Sequence, residues 1–101
     1  MWICFNDGFV SAVEHRDSSD LLMIRARRRD ILQNLFPNEY VIEGGSTDYQ
    51  YRVVVSKAVF GDVVSKRISE ISYPNFKDSV EDHELHELYE KFWSLHRRYQ
   101  R

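Results

Sequence analysis

Apolar and polar residues alternate with a period of two through much of the first half of the chain, and the spacing changes to three and four in the second half. These are the side-chain periods of strands and of helices. "WICF" and "FVSAVEH" flank "NDG", a turn signal in which Gly8 can take positive φ at little cost and Asn6 or Asp7 can bond the local backbone. A hairpin of strands Trp2 to Phe5 and Phe9 to Glu14 is therefore expected. Val10, Ala12 and Glu14 would share one face, and Phe9, Ser11 and Val13 the other. "HRDSSD" reads as a polar loop. "LLMIRAR" then predicts a third strand, with Leu22, Ile24 and Ala26 on one face and Met23, Arg25 and Arg27 on the other.

In "RRRDILQNLF", Ile31, Leu32, Leu35 and Phe36 fall at helical spacing and Pro37 is placed to end the helix. "YVIEGG" and "YQYRVVVS" flank "GGSTD", which predicts a second strand pair with Tyr49, Tyr51, Val53 and Val55 on one face and Gln50, Arg52 and Val54 on the other. Ser56 is a suitable cap for a helix whose stripe is Val59, Phe60, Val63, Val64, Ile68 and Ile71. "SYPNFKD" follows as an irregular segment. "SVED", Ser79 to Asp82, resembles a capping box. Beyond it Leu85, Leu88, Phe92, Leu95 and Tyr99 alternate by three and four, with Tyr89 and Trp93 widening the stripe. Acids gather at the start of this helix (Glu81, Asp82, Glu84, Glu87) and arginines at its end (Arg97, Arg98, Arg101), an order that suits the helix dipole.

The element order β-β-β-α-β-β-α-α predicts a single α+β domain over residues 1–101. We expect a largely antiparallel sheet of about five strands with two or three helices packed on one face, and the stretch from Leu21 to Ile71 reads as partly ferredoxin-like. Such an arrangement implies no particular function.

Composition adds limits. The chain has 101 residues, 43% of them apolar, which suits one core. The net charge is −2, and each side of Phe60 carries seven basic and eight acidic residues, so neither half is a basic arm or an acidic tail. Cys4 is the only cysteine and cannot close an internal disulfide, from which a reducing, cytoplasmic setting is expected. "MWICF" lacks a basic leader region, and no stretch approaches the roughly 20 apolar residues of a membrane helix.

"MW" at the start, "GFVSAVEHR", "RAR", "DYQYRVVV", "ISYPNFKDSV" and "LYEKFW" together resemble a family of short, uncharacterised bacterial and phage proteins about as long as this chain. The likeness extends over nearly all of it, and "DYxYR" followed by "YPNFKD" is its specific part. The resemblance implies a small single domain and no catalytic activity.

The candidate chemistry is sparse. Arg25, Arg27, Arg28 and Arg29 form a run, and with Arg52 they could present planar donors to phosphate or nucleic acid. Alternatively, Arg25, Arg27 and Arg52 lie on a solvated sheet face or pair with Glu14, Glu43 and Asp48. Tyr49, Tyr51, Tyr73, Phe76, Lys77 and Trp93 are the aromatic and basic positions suited to a protein interface, although Tyr73 and Phe76 are first expected to fill the gap between the last two helices. "DHELHE" places His83 and His86 three apart beside Glu87, which reads as a solvated acidic face because zinc helices favour four-residue spacing. No nucleophile elbow, phosphate loop or dinucleotide fingerprint occurs. We therefore expect no catalytic residues and no cofactor. The expected role is that of a cytoplasmic interaction or regulatory protein, homodimeric through the last helix or an exposed sheet face. Anion or nucleic-acid binding through the arginines is the alternative.

Overall fold

The computed structural model describes residues 1–45 and 48–101. Five strands and three helices follow one another as β1 (Trp2–Phe5), β2 (Gly8–His15), β3 (Ser18–Ala26), α1 (Arg29–Leu35), β4 (Ile42–Glu43), β5 (Tyr51–Ser56), α2 (Lys57–Ser69) and α3 (His83–Arg97). A 3-10 turn at Lys77–Ser79 precedes α3. The strands form one sheet in the order β1-β2-β3-β5-β4, antiparallel at every pairing. Because β5 lies between β3 and β4 and opposes both, β3 and β4 run the same way, joined through α1. This split β-α-β unit, followed by α2, is the ferredoxin-like part expected from the sequence.

Alternation along the strands decides which side is filled. Val10, Ala12, Ile24, Ala26, Val53 and Val55 are buried in one cluster with Ile31, Leu32, Leu35, Phe36 and Phe60 from α1 and α2. That face is the core. Ser56 caps α2 by accepting from the Val59 amide at 3.1 Å. Only Phe60 of its stripe is buried, while Val63 and Val64 are half-buried and Val59, Ile68 and Ile71 stay exposed.

Several local expectations are corrected. The "HRDSSD" loop shrinks to a turn, because β3 begins at Ser18 and extends the β2–β3 hairpin past an irregularity between Glu14 and His15. Gly8 has no positive φ. It is glycine because Ile31 packs directly on it, and a Cβ there would collide with the Ile31 side chain. Gly44 and Gly45 are the positive-φ glycines, at 99° and 86°. The second strand pair is shorter than its sequence signal, and Ser46 and Thr47 of "GGSTD" lie outside the described residues. Ser79 is not the cap of α3. Asp82 is, accepting from the Leu85 amide at 3.0 Å, and the chain turns through the 3-10 segment before it.

α3 does not join the core. Phe92 meets Phe9 edge-on with ring centroids 5.8 Å apart, and Phe9 is on the side of β2 opposite Val10. Two helices therefore cover one face, and the third leans against the other at its β1–β2 end. Tyr89 is the only buried residue of α3, and its hydroxyl donates to the Phe5 carbonyl at 2.8 Å.

Candidate functional site

The arginine run is divided by the strand-to-helix junction. Arg25 on β3 stands between Ser11 on β2 and Arg52 on β5 in register, so the three share the non-core face. Arg25 donates from Nη2 to Ser11 Oγ at 2.8 Å, and its guanidinium lies 4.8 Å from the centre of the Tyr49 ring. Arg27 lies 4.4 Å from the same ring and binds both carboxylate oxygens of Asp48. Arg52 donates to the Gly44 carbonyl at 3.1 Å. Tyr49 is buried beneath two guanidinium groups, and this corrects its expected place beside Tyr51 and Val53. β5 starts only at Tyr51, so the two-residue alternation does not reach back to Tyr49.

Arg28 and Arg29 follow at the junction itself. Arg28 reaches Asp82 at 3.2 Å and also Glu84, both at the start of α3. Arg29 meets Glu43 at 2.9 Å and stands 5.2 Å from the Tyr51 ring. Two cations at the start of α1 are at the unfavourable end of its dipole. Asp30 in the first turn and carboxylates supplied by α3 and β4 offset that cost. Of the pairings expected from the sequence, Arg27 with Asp48 forms; Glu43 takes Arg29 instead, and Glu14 takes Lys57. The Asp48 hydrogen bond raises the pKa of Arg27. That of Asp82 is lowered, first by the Leu85 amide and then by the charge of Arg28.

The aromatic residues assemble into something larger than any one signal in the sequence. Trp2, Phe9, Phe92, Tyr89, Phe76 and Tyr73 form a continuous chain of ring contacts with centroids 5.3 to 6.0 Å apart. Phe76 packs on Tyr89 of α3, while Tyr73 meets Phe76 and lines a depression with Val64 and Ile68 of α2. Beside this chain runs an apolar groove of about 880 Å³, between β1 and the last turns of α3, with Trp2, Cys4, Phe92, Trp93, Leu95 and Tyr99 among its walls. Lys77 sits 4.3 Å from the Trp93 ring on the groove's rim, and the Arg97 guanidinium 5.5 Å from it. A second depression of about 700 Å³ continues past Phe9 and Phe92 toward the start of α3. Its walls are mostly apolar, and the charges on them, Asp48, Asp82 and Glu84 against Arg27 and Arg28, are paired with one another.

Much of the apolar wall faces solvent. Trp2 is 73% exposed, Leu95 62% and Tyr99 84%. Partial desolvation against the neighbouring rings raises the pKa of the Cys4 thiol, although the residue is exposed rather than the buried hydrophobe that its apolar run would suggest. Burial likewise raises the Tyr89 hydroxyl pKa, keeping it a donor to Phe5. His83 and His86 lie beside Glu87 and Glu90 on α3, 3.4 and 4.0 Å apart. Among the described residues no group of three or more His, Cys, Asp or Glu is placed to hold a metal, and no helix is long and apolar enough to cross a membrane.

Trp93, Phe76, Lys77 and Tyr73 are thus brought together, whereas Arg29 and Tyr51 lie apart from Arg25, Arg27 and Tyr49. The residues missed are Trp2 and Phe9. A signal for them exists in the first hairpin, where both faces are apolar: Ile3, Phe5, Val10 and Ala12 on one, Trp2, Cys4, Phe9 and Val13 on the other. Apolar residues on both sides of a strand imply cover on both sides. Comparison of the chain with known protein families, with curated proteins and with solved structures yields no significant match.

Proposed function

We propose that this is a noncatalytic interaction or regulatory protein of the cytoplasm, and that it works through the groove between β1 and α3. The observation that carries the reading is the exposed apolar wall formed by Trp2, Trp93, Leu95 and Tyr99. A small monomeric domain seldom leaves contiguous aromatic and aliphatic surface open to water, and such surface characteristically marks a protein contact. Tryptophan, tyrosine and arginine are also the side chains that dominate interface energetics, and Arg97 and Lys77 border the groove at Trp93.

The alternative, anion or nucleic-acid binding through Arg25, Arg27, Arg28, Arg29 and Arg52, draws less support. Arg27, Arg28 and Arg29 are engaged by carboxylates, and Arg29 stands apart from the others, at Glu43 and Tyr51. A phosphate would first have to displace those carboxylates.

A photo-crosslinking residue placed at position 95, and in a second variant at position 27, separates the two readings in cells. Protein adducts from position 95 in excess of those from position 27 are expected. Nucleic-acid adducts from position 27, with none of any kind from position 95, would overturn the groove reading.

A further inference from the structure

We infer that the groove receives an extended segment of a partner protein, which adds to the sheet as a strand beside β1 and carries apolar side chains at alternate positions and a carboxylate near one end. The inference rests on the reading of the groove as an interaction surface and names the shape and chemistry of its occupant.

The hydrogen-bond phase of the first hairpin shows which main-chain groups are spare. Met1 and Ala12 exchange two bonds of 2.8 Å, the Ala12 amide donating to the Met1 carbonyl and the Met1 amine to the Ala12 carbonyl. Bonded and non-bonded pairs alternate along an antiparallel ladder. Ile3 with Val10 and Phe5 with Gly8 are therefore bonded pairs, and Trp2 and Cys4 oppose Ser11 and Phe9 without bonding them. The N–H and C=O groups of Trp2 and Cys4 point away from β2. β1 is the edge of the sheet, and among the described residues the segment between α2 and α3 makes no main-chain hydrogen bond to it. The other edge is closed differently, since β4 is two residues long and its Glu43 is paired with Arg29. "WICF" has none of the charges or prolines that ordinarily blunt an edge. Spare donors and acceptors spaced along an extended chain are matched by another extended chain, not by a helix, whose main-chain groups bond one another.

The two sides of that edge supply places for side chains. Residues of an added strand point alternately to the two faces of the sheet. On the face of Trp2 and Cys4 lies the groove of about 880 Å³, walled further by Trp93, Leu95 and Tyr99. On the face of Ile3 and Phe5 lies a smaller depression of about 240 Å³, whose wall includes Ile68 of α2 and Ile71 just beyond it. These two isoleucines are 62% and 55% exposed. The apolar ends of α2 and α3 that the domain leaves uncovered thus stand on either side of one open strand edge, and a single added strand covers both. Large side chains suit the groove, and smaller ones the depression opposite.

Charge adds the carboxylate. Lys77 and Arg97 lie against the Trp93 ring at 4.3 and 5.5 Å, and neither belongs to any ion pair formed among the described residues. No aspartate or glutamate among those residues lines the groove. An acidic side chain on the incoming strand meets both cations at the rim, and this fixes which end of the strand lies by Trp93.

A displayed library of short random peptides, selected on the purified full chain, tests this. Recovered peptides should carry apolar residues at every second position and an aspartate or glutamate toward one end, and their binding should slow amide exchange at Trp2 and Cys4. Cys4→Pro removes one outward N–H and leaves the bonds to β2 in place, a substitution that an edge strand accepts. It should weaken a recovered peptide about tenfold, the scale of a main-chain hydrogen bond lost with its partner left unpaired, whereas Cys4→Ala should not. Methylating alternate amide nitrogens of the peptide, one set at a time, repeats the test without altering the protein: one set should abolish binding and the other leave it unchanged. Lys77→Glu/Arg97→Glu should select peptides without the acidic preference, and its persistence there overturns the carboxylate. Recovery of no peptide, or of peptides with helical spacing, overturns the proposal, as does equal binding by Cys4→Pro and Cys4→Ala or an equal effect of both methylated sets. A dimer in sedimentation that Cys4→Pro dissociates makes a second copy the occupant and overturns the partner named here. Crosslinks from position 95 to another protein, with strand pairing absent, leave the groove reading standing without the strand; absence of crosslinks and peptides alike removes both readings.

Discussion

The two faces of the sheet are finished by different means. Under α1 and α2 the side chains are mostly aliphatic, the cluster is closed, and Ile24, Leu32 and Val53 are fully buried. On the opposite face Ser11 and Arg25 are joined by a hydrogen bond, Tyr49 is stacked under guanidinium groups, and a single helix is attached through aromatic edges and one buried hydroxyl. The first face gains from removing apolar area from water, about 25 cal/mol per Å². The second depends on a few directed contacts. The closed aliphatic cluster and the exposed aromatic wall are thereby set on opposite faces of one small domain.

This contrast can be broken from its strong side first. Leu32→Ala removes a fully buried side chain where α1 meets the sheet and should cost about 2–5 kcal/mol. Chemical denaturation should then show the whole domain losing stability in one transition. The weaker face should respond locally. Tyr89→Phe deletes the hydroxyl that reaches the Phe5 carbonyl and should cost about 0.5–1.5 kcal/mol. Hydrogen exchange should accelerate in α3 while β3 and β5 remain protected. Equal acceleration in all three elements would mean that α3 is part of the same cooperative unit, and the contrast between the faces would lose its energetic meaning.

The smallest effect is set by pH. Asp82 has a lowered pKa in the folded chain, so the stabilisation from its charged form is present above the unfolded value of about 3.9 and is lost as pH falls below it. An asparagine at this position would keep a capping oxygen without the charge. The melting temperatures of the wild type and Asp82→Asn should therefore differ slightly near neutrality and converge below about pH 4. A difference that persists in strong acid, below both pKa values, would show that the carboxylate's charge is not what α3 gains from this position.

Much of the strong face was legible in the sequence, because one rule covers it. The period of two placed Leu22, Ile24 and Ala26 opposite Met23 and Arg25, and Ser56 followed by an apolar stripe marked the start of α2. The rule fails where neighbouring segments compete. The stripe on α3 is wider than any single partner requires, and nothing in its spacing says that Tyr89 rather than Leu95 turns inward. Tyr49 matched the alternation of β5, but the strand stops short of it and two arginines offered the ring another surface. Ser79 and Asp82 are both good capping residues, and only the 3-10 turn between Phe76 and α3 decides for Asp82. The arginine run was ambiguous for the same reason, since its partners Asp82, Glu84 and Glu43 are remote in sequence.

The hydrogen bond from Tyr89 to Phe5 joins positions 84 residues apart, and the groove beside it takes one wall from β1 and the other from α3. Neither wall alone makes a concave surface. The groove therefore exists only when the chain's two ends have met, at the entropic cost of closing that long loop. A partner recognising it, as proposed, would discriminate a finished molecule from an incomplete or partly opened one.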